Sequence, residues 1–288
     1  MEKENRILDN SLFELLENKE QNTEVLTRSL QKTFGKIVNK WNEKQERSND
    51  NILSKCFSIT GVNSYEVTIP DFKGVAAWED NLVELENNKK YFNRAKLRSK
   101  RVVSKVVYSK LFNILGPTKP FNEYMERRVV KTIEDEIVRT MLSDKEGNDL
   151  KPFGIFNGLD VENISYMSDL VSLQSSVDKQ EGKNTWIISP TAKEKIYTMS
   201  NNYNIFDNNT FLNSPVIFDN RMQDGFIAYL DLDRLNYVQW NNSFTVFLDT
   251  KSYVGSDLNA LFIDANVNWM YNAQGDNKAD LIKVGKFA

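Results

Sequence analysis

The chain has 288 residues, 40% hydrophobic and 27% charged, with a formal net charge of −3, one cysteine and no histidine. This is the composition of a folded soluble protein long enough to bury a core without covalent staples. Histidine-dependent triads, histidine metal sites and histidine proton shuttles are excluded, and the lone Cys56 excludes intrachain disulfides and cysteine-cluster zinc sites.

Residues 1–48 read as helix. Leu8, Leu12, Leu15 and Leu16 keep helical spacing, as do Leu30, Phe34, Ile37 and Trp41. The apolar stripe is narrow, so the segment needs a partner. The charged start, Met1-Glu2-Lys3-Glu4, lacks the apolar core of a secretory signal. No run approaches the roughly 18 apolar residues of a membrane span. A reducing cytoplasm is the expected place of synthesis.

Tyr65, Val67 and Ile69 alternate with polar residues as in a half-buried strand, which Pro70 to Gly74 is expected to end. A two-stranded excursion follows, with a turn-like tip at Glu86-Asn87-Asn88-Lys89 and a return limb from Tyr91 to about Leu111. On that limb Arg94, Lys96, Arg98 and Lys100 fall at period two, so one continuous strand would project all four from one face.

Gly116 to Pro120 is a stop. Phe121, Met125, Val129, Ile133, Ile137 and Met141 then recur every fourth residue, which predicts a long amphipathic helix over about 121–143. A glycine-containing loop, 144–158, follows. A second helix is expected over about 164–179. Trp186-Ile187-Ile188 reads as a buried strand that runs into Ser189-Pro190-Thr191, a cap and first turn for a third helix over 190–200. The remainder reads as strands: Pro215–Phe218, Gly225–Leu230, Phe244–Leu248, Leu261–Tyr271 and Leu281–Val284. This order suits an α+β fold with mixed or antiparallel sheets rather than a doubly wound nucleotide fold.

No phosphate-cradling glycine motif is present. Glu134-Asp135-Glu136 reads as a solvated or subunit-facing helix surface. Asp231 and Asp233 would share one face of a strand, without an evident third metal ligand. Charge is uneven: residues 89–131 carry thirteen Lys/Arg against two acids, and residues 202–288 carry ten acids against six bases. The basic stretch fits three roles: a solvated surface that discourages edge pairing, a docking face for an acidic patch of another copy, or a phosphate contact.

In this order the elements resemble the major capsid proteins of tailed bacteriophages, the Hong Kong 97 type. The resemblance covers about residues 50–288. Phe121–Leu142 is similar to the family's spine helix, and 76–111 to its extended loop. Asp144–Gly158 resembles the glycine-containing stretch after the spine. Trp186–Thr191 resembles its strand, Ser-Pro, helix step, and Asn213–Phe218 its short strand with a Gly/Ser before Pro-Val.

The resemblance implies a Hong Kong 97-like α+β capsid fold with a helical N-terminal extension over 1–48 that acts as a scaffold in some members. It implies an arm over 49–75 and the extended loop over 76–111. A peripheral domain would take 112–150 with 240–275, and an axial domain 151–239 with 276–288. The implied work is self-assembly through pentamers and hexamers into an icosahedral virion shell around double-stranded DNA, formed in the host cytoplasm. No catalytic residue, cofactor or metal is implied. Other implied partners are portal, scaffold or decoration proteins, and no membrane. Arg94, Lys96, Arg98 and Lys100 are the candidate inter-subunit contacts. An alternative is an encapsulin-like shell, which has the same fold but encloses cargo enzymes instead of DNA. Two rivals of other classes are a small enzyme using Asp231 and Asp233, and a nucleic-acid binder using 89–131.

Overall fold

The computed structural model describes residues 52–64, 66–72, 92–109, 119–177, 184–201, 205–249, 252, 256, 258–273 and 277–287. The expected helical segment 1–48 and the expected tip at 86–89 lie outside them.

A short helix α1 (Ile52–Lys55) leads into β1 (Phe57–Val62), then a ribbon of β2 (Glu66–Phe72) and β3 (Phe92–Arg98), then β4 (Lys100–Ser109). The long helix α2 spans Lys119–Met141. Next come β5 (Val161–Ile164), α3 (Met167–Ser175), β6 (Asn184–Ile188) and α4 (Pro190–Met199). Two short strands, β7 (Phe206–Asp207) and β8 (Thr210–Phe211), precede β9 (Ser214–Phe218) and β10 (Phe226–Asp231). The chain closes with β11 (Leu235–Asp249), β12 (Leu258–Tyr271), α5 (Lys278–Leu281) and β13 (Ile282–Phe287).

Two large mixed sheets result. One has the order β1-β11-β12-β4, with β1 parallel to β11 and the other pairs antiparallel. The other has the order β5-β13-β10-β6-β9-β8-β7. The period-two set on β12 does what its alternation predicts: Ile263, Ala265, Val267, Trp269 and Tyr271 are all buried. They meet Ile133, Ile137, Val138 and Met141 of α2, and Leu142 just after it, in one core. That core also takes Ile187, Ala228, Leu230, Ile282 and Val284 from the second sheet. The last half of α2 is therefore the joint between the two sheets.

The opposite face of the second sheet buries Trp186, Ile188, Ile227 and Tyr229 against Leu170 and Leu173 of α3 and Ala192 and Ile196 of α4. Burial on both faces explains the unbroken apolar runs of β6 and β10. The Ser189 hydroxyl accepts a hydrogen bond from Ala192 N, and Pro190 occupies the first turn of α4. A third, smaller cluster seats the ribbon, with Ile69 and Leu97 on Val238 and Trp240.

The strand expected to end within Pro70 to Gly74 ends at Phe72, and its two-stranded ribbon leaves alternate N–H groups unpaired and so accommodates Pro70. Two expectations need correction. The return limb is two strands, broken at Ser99. The strand expected over Phe244–Leu248 begins at Leu235 and passes through Asn241-Asn242-Ser243 by a register irregularity against β12.

Cys56 is buried and its thiol donates to the Ile52 carbonyl at 3.1 Å. Burial, and then the negative charge of Asp233, push its pKa from 9.0 up to about 12. The native state thus holds this proton where the unfolded chain releases it, so this contribution to stability is complete below pH 9 and falls away as pH rises toward about 12. An aromatic disulfide reagent at pH 8 is expected to leave Cys56 unmodified in the native protein and to modify it fully in denaturant. Rapid native labelling would contradict this packing.

Candidate assembly surface

Of the basic residues singled out in the sequence, Arg94, Lys96 and Arg98 lie on β3 of the two-stranded ribbon and Lys100 begins β4 of the four-stranded sheet. Leu97 turns down into the ribbon cluster, so its neighbours Lys96 and Arg98 turn up to solvent, where both are exposed. Both reach one carboxylate: Lys96 Nζ stands 3.0 Å and Arg98 Nε 3.3 Å from Glu66. Hydrogen bonds from Lys96 and then Arg98 hold the Glu66 carboxyl below its ordinary pKa. Arg94 lies on the same strand, in register with Pro70.

Lys100 does not join them. After the break at Ser99 it shares strand parity with Val102 and Val106, which pack on the core around α2. Its ammonium instead donates to the carbonyls of Asn148 and Asp149, at 2.8 and 2.7 Å. The expected single face of four cations is thus a face of β3, while Lys100 clamps the loop after α2. The next residues restore the outer face. Arg101, Val103, Lys105 and Val107 are exposed at period two. Arg101 Nε bonds Asp264 at 2.6 Å, and the Lys105 ammonium lies over the Phe262 ring at 5.6 Å. The sequence pattern Arg-x-Val-x-Lys-x-Val carried this face, but the period-two run of cations before it drew attention away.

The acidic triplet on α2 also departs in part from expectation. Glu134 faces inward with Arg221: their side chains are 11% and 13% exposed and 3.3 Å apart. Arg221 Nη1 is 3.6 Å from Asp135, and its Nε and Nη2 form a two-pronged contact with Asp219 at 2.8 and 2.6 Å. Glu136 pairs with Arg139 at 2.9 Å and with Lys151 at 3.8 Å. Glu134 and Asp135 thus fasten α2 to the turn after β9, while Glu136 remains on the half-exposed helix surface as expected. Sequence reasoning missed the fastening because its partners lie 87 residues apart.

Asp231 and Asp233 do not share a strand face. β10 ends at Asp231, whose carboxylate caps a 3₁₀ turn over Leu232–Arg234 by accepting from Asp233 N at 2.9 Å. Both border an open groove of about 730 Å³ that also touches Ser54, Lys55 and Phe57. Among the described residues no group of three or more Cys, Asp or Glu side chains could hold a metal ion. Nor, among them, is any helix long and apolar enough to cross a membrane.

A family model described as the phage capsid family matches residues 44–265. Several solved structures share the fold at low identity. The capsid of the native GTA particle is 13% identical, with a TM-score of 0.60 over 84% of this chain and 91% of that one. The satellite phage P4 procapsid is 8% identical, with a TM-score of 0.60 over 86% and 98%. The SrpI encapsulin of Synechococcus elongatus PCC 7942 is 11% identical, with a TM-score of 0.56 over 83% and 87%. No curated protein matches the chain in sequence.

Proposed function

This chain belongs to the phage capsid family and has the Hong Kong 97-type α+β fold, and from that premise we propose that it is the major capsid protein of a tailed phage. It is a capsid shell protein; the proposal adds how the shell is built and what it holds. Subunits assemble through pentamers and hexamers into an icosahedral head that encloses double-stranded DNA, and they do so in the host cytoplasm. The observation that carries this reading is the family match, which spans 44–265 and so takes in α2 and the four-stranded sheet except for the end of β12.

In this reading the sheet β1-β11-β12-β4 with α2 forms the peripheral part of the subunit, and the seven-stranded sheet the axial part. The Arg94, Lys96 and Arg98 face meets a neighbouring subunit, and residues 1–48 serve as a scaffold during assembly. Rings and closed shells need head-to-tail contacts, which a subunit basic on one side and acidic on another provides.

The encapsulin structures share the fold, so contents decide between the two shells. Particles isolated from the cells that make this protein are expected to hold long, nuclease-resistant double-stranded DNA. Particles filled with a protein cargo and no such DNA would replace the phage reading with the compartment reading.

A further inference from the structure

The loop after α2 is held far more firmly than its exposure requires. The Asn148 side chain accepts from both Leu150 N and Lys151 N at 2.8 Å, and Asn148 N donates to the Lys151 carbonyl at 2.9 Å. Lys100 clamps the carbonyls of Asn148 and Asp149 from β4. The neck is closed by Gly154 N on the Lys145 carbonyl at 3.0 Å and Phe156 N on the Ser143 carbonyl at 3.1 Å. A side chain on Gly154 would meet the Ser143 carbonyl oxygen at 1.9 Å, so only glycine allows this approach. The Phe153 carbonyl accepts from Trp269 Nε1 at 2.9 Å.

This loop displays two large apolar side chains: Leu150 is 81% exposed and Phe153 59% exposed. The hydrogen-bonded backbone beneath them has already lost the loop freedom that binding would otherwise cost, which suits interface anchors. Around them stand the exposed acids Asp144, Glu146 and Asp149 and one exposed base, Lys145. The outer face of β3 and β4 has the complementary make-up. Val103 and Val107, 47% and 44% exposed, lie among Lys96, Arg98, Arg101 and Lys105.

We propose that the loop 144–153 of one copy docks on the outer β3–β4 face of a second copy. Leu150 and Phe153 cover Val103 and Val107, and Glu146 and Asp149 face Lys96 and Lys105. This rests on the shell reading and names the acidic counterpart of the basic face. Lys100 then has a positioning role: it sets the loop in one subunit for contact with the next.

The test uses two charge-reversed versions of the full chain. One carries Glu146→Lys and Asp149→Lys, the other Lys96→Glu and Lys105→Glu. Sedimentation velocity and electron microscopy follow association, and circular dichroism melts report folding. Each variant alone is expected to melt like wild type and to need about tenfold more protein to associate. An equimolar mixture is expected to associate at lower concentration than either variant alone, because wherever the two alternate each altered surface meets an opposite charge. A third variant, Leu150→Ser, is expected to weaken association without lowering the melting temperature. Wild-type shells with both charge variants unimpaired would overturn the contact and leave the shell reading standing. Association of wild type and of the mixture that yields neither closed shells nor five- and six-fold rings, with or without other head proteins, would support the contact and overturn the shell reading. A wild-type chain that stays monomeric at all concentrations under both conditions would overturn both, and a mixture that fails to associate would overturn the contact.

Discussion

Replacing Arg221 with alanine is expected to destabilise the subunit by about 3–5 kcal/mol. The cost does not come from the lost ion pairs as such. Asp219 is 3% exposed, and without Arg221 its carboxylate would be buried opposite the like charges of Glu134 and Asp135. Removing one member of a buried network leaves the desolvation of the others uncompensated. The site also joins the turn after β9 to α2, so the loss falls where the two sheets meet. Arg221→Lys is expected to recover only part of it, since an ammonium cannot repeat the two-pronged contact with Asp219. Urea unfolding of the unassembled subunit measures this directly. A shift in midpoint equivalent to less than about 1 kcal/mol would mean that the network is no more than a surface pairing.

Trp186→Ala is expected to cost a similar amount, about 3–5 kcal/mol, by emptying the centre of the second core. Trp186 is fully buried, with its ring centroid 4.5 Å from Tyr229 and 5.3 Å from Phe211. Among the described residues its indole Nε1 has no hydrogen-bond partner. Trp186→Phe removes that unpaired donor along with part of the ring, so the two effects offset and the expected cost is about 1 kcal/mol. The same unfolding experiment separates the cases. Equal losses for alanine and phenylalanine would show that the indole ring makes a contact beyond simple packing.

Local signals were legible in the sequence where one physical rule acted alone. The four-residue repeat placed α2, because Ile133, Ile137 and Met141 line a single buried stripe. Ser189-Pro190 placed the start of α4 to the residue. Period two placed the buried face of β12. Failures came where tertiary contacts chose between options that the local sequence left open. Nothing in Arg98-Ser99-Lys100 announces a strand break; the ribbon packs on Trp240 while β4 pairs with β12, and the chain must change sheets between them. The short strands β7 and β8 escaped because two residues are too few for any periodicity. Their turns were readable in part: Asn208 and Asn209, and then Leu212 and Asn213, all adopt positive φ, a conformation that asparagine tolerates and leucine rarely does. The assembly face was half legible. Its cations were visible in the sequence, but the sorting of Lys100 to one side and Arg101 to the other needed the strand parity that only the fold supplies.

The central claim is that this subunit builds a closed shell. The most direct measurement is negative-stain electron microscopy of the purified full chain after size-exclusion chromatography, with and without added scaffold and portal proteins. The account predicts closed particles of uniform size, or five- and six-fold rings that close when the other proteins are added. A chain that remains a monomer or a small discrete oligomer under both conditions would contradict it.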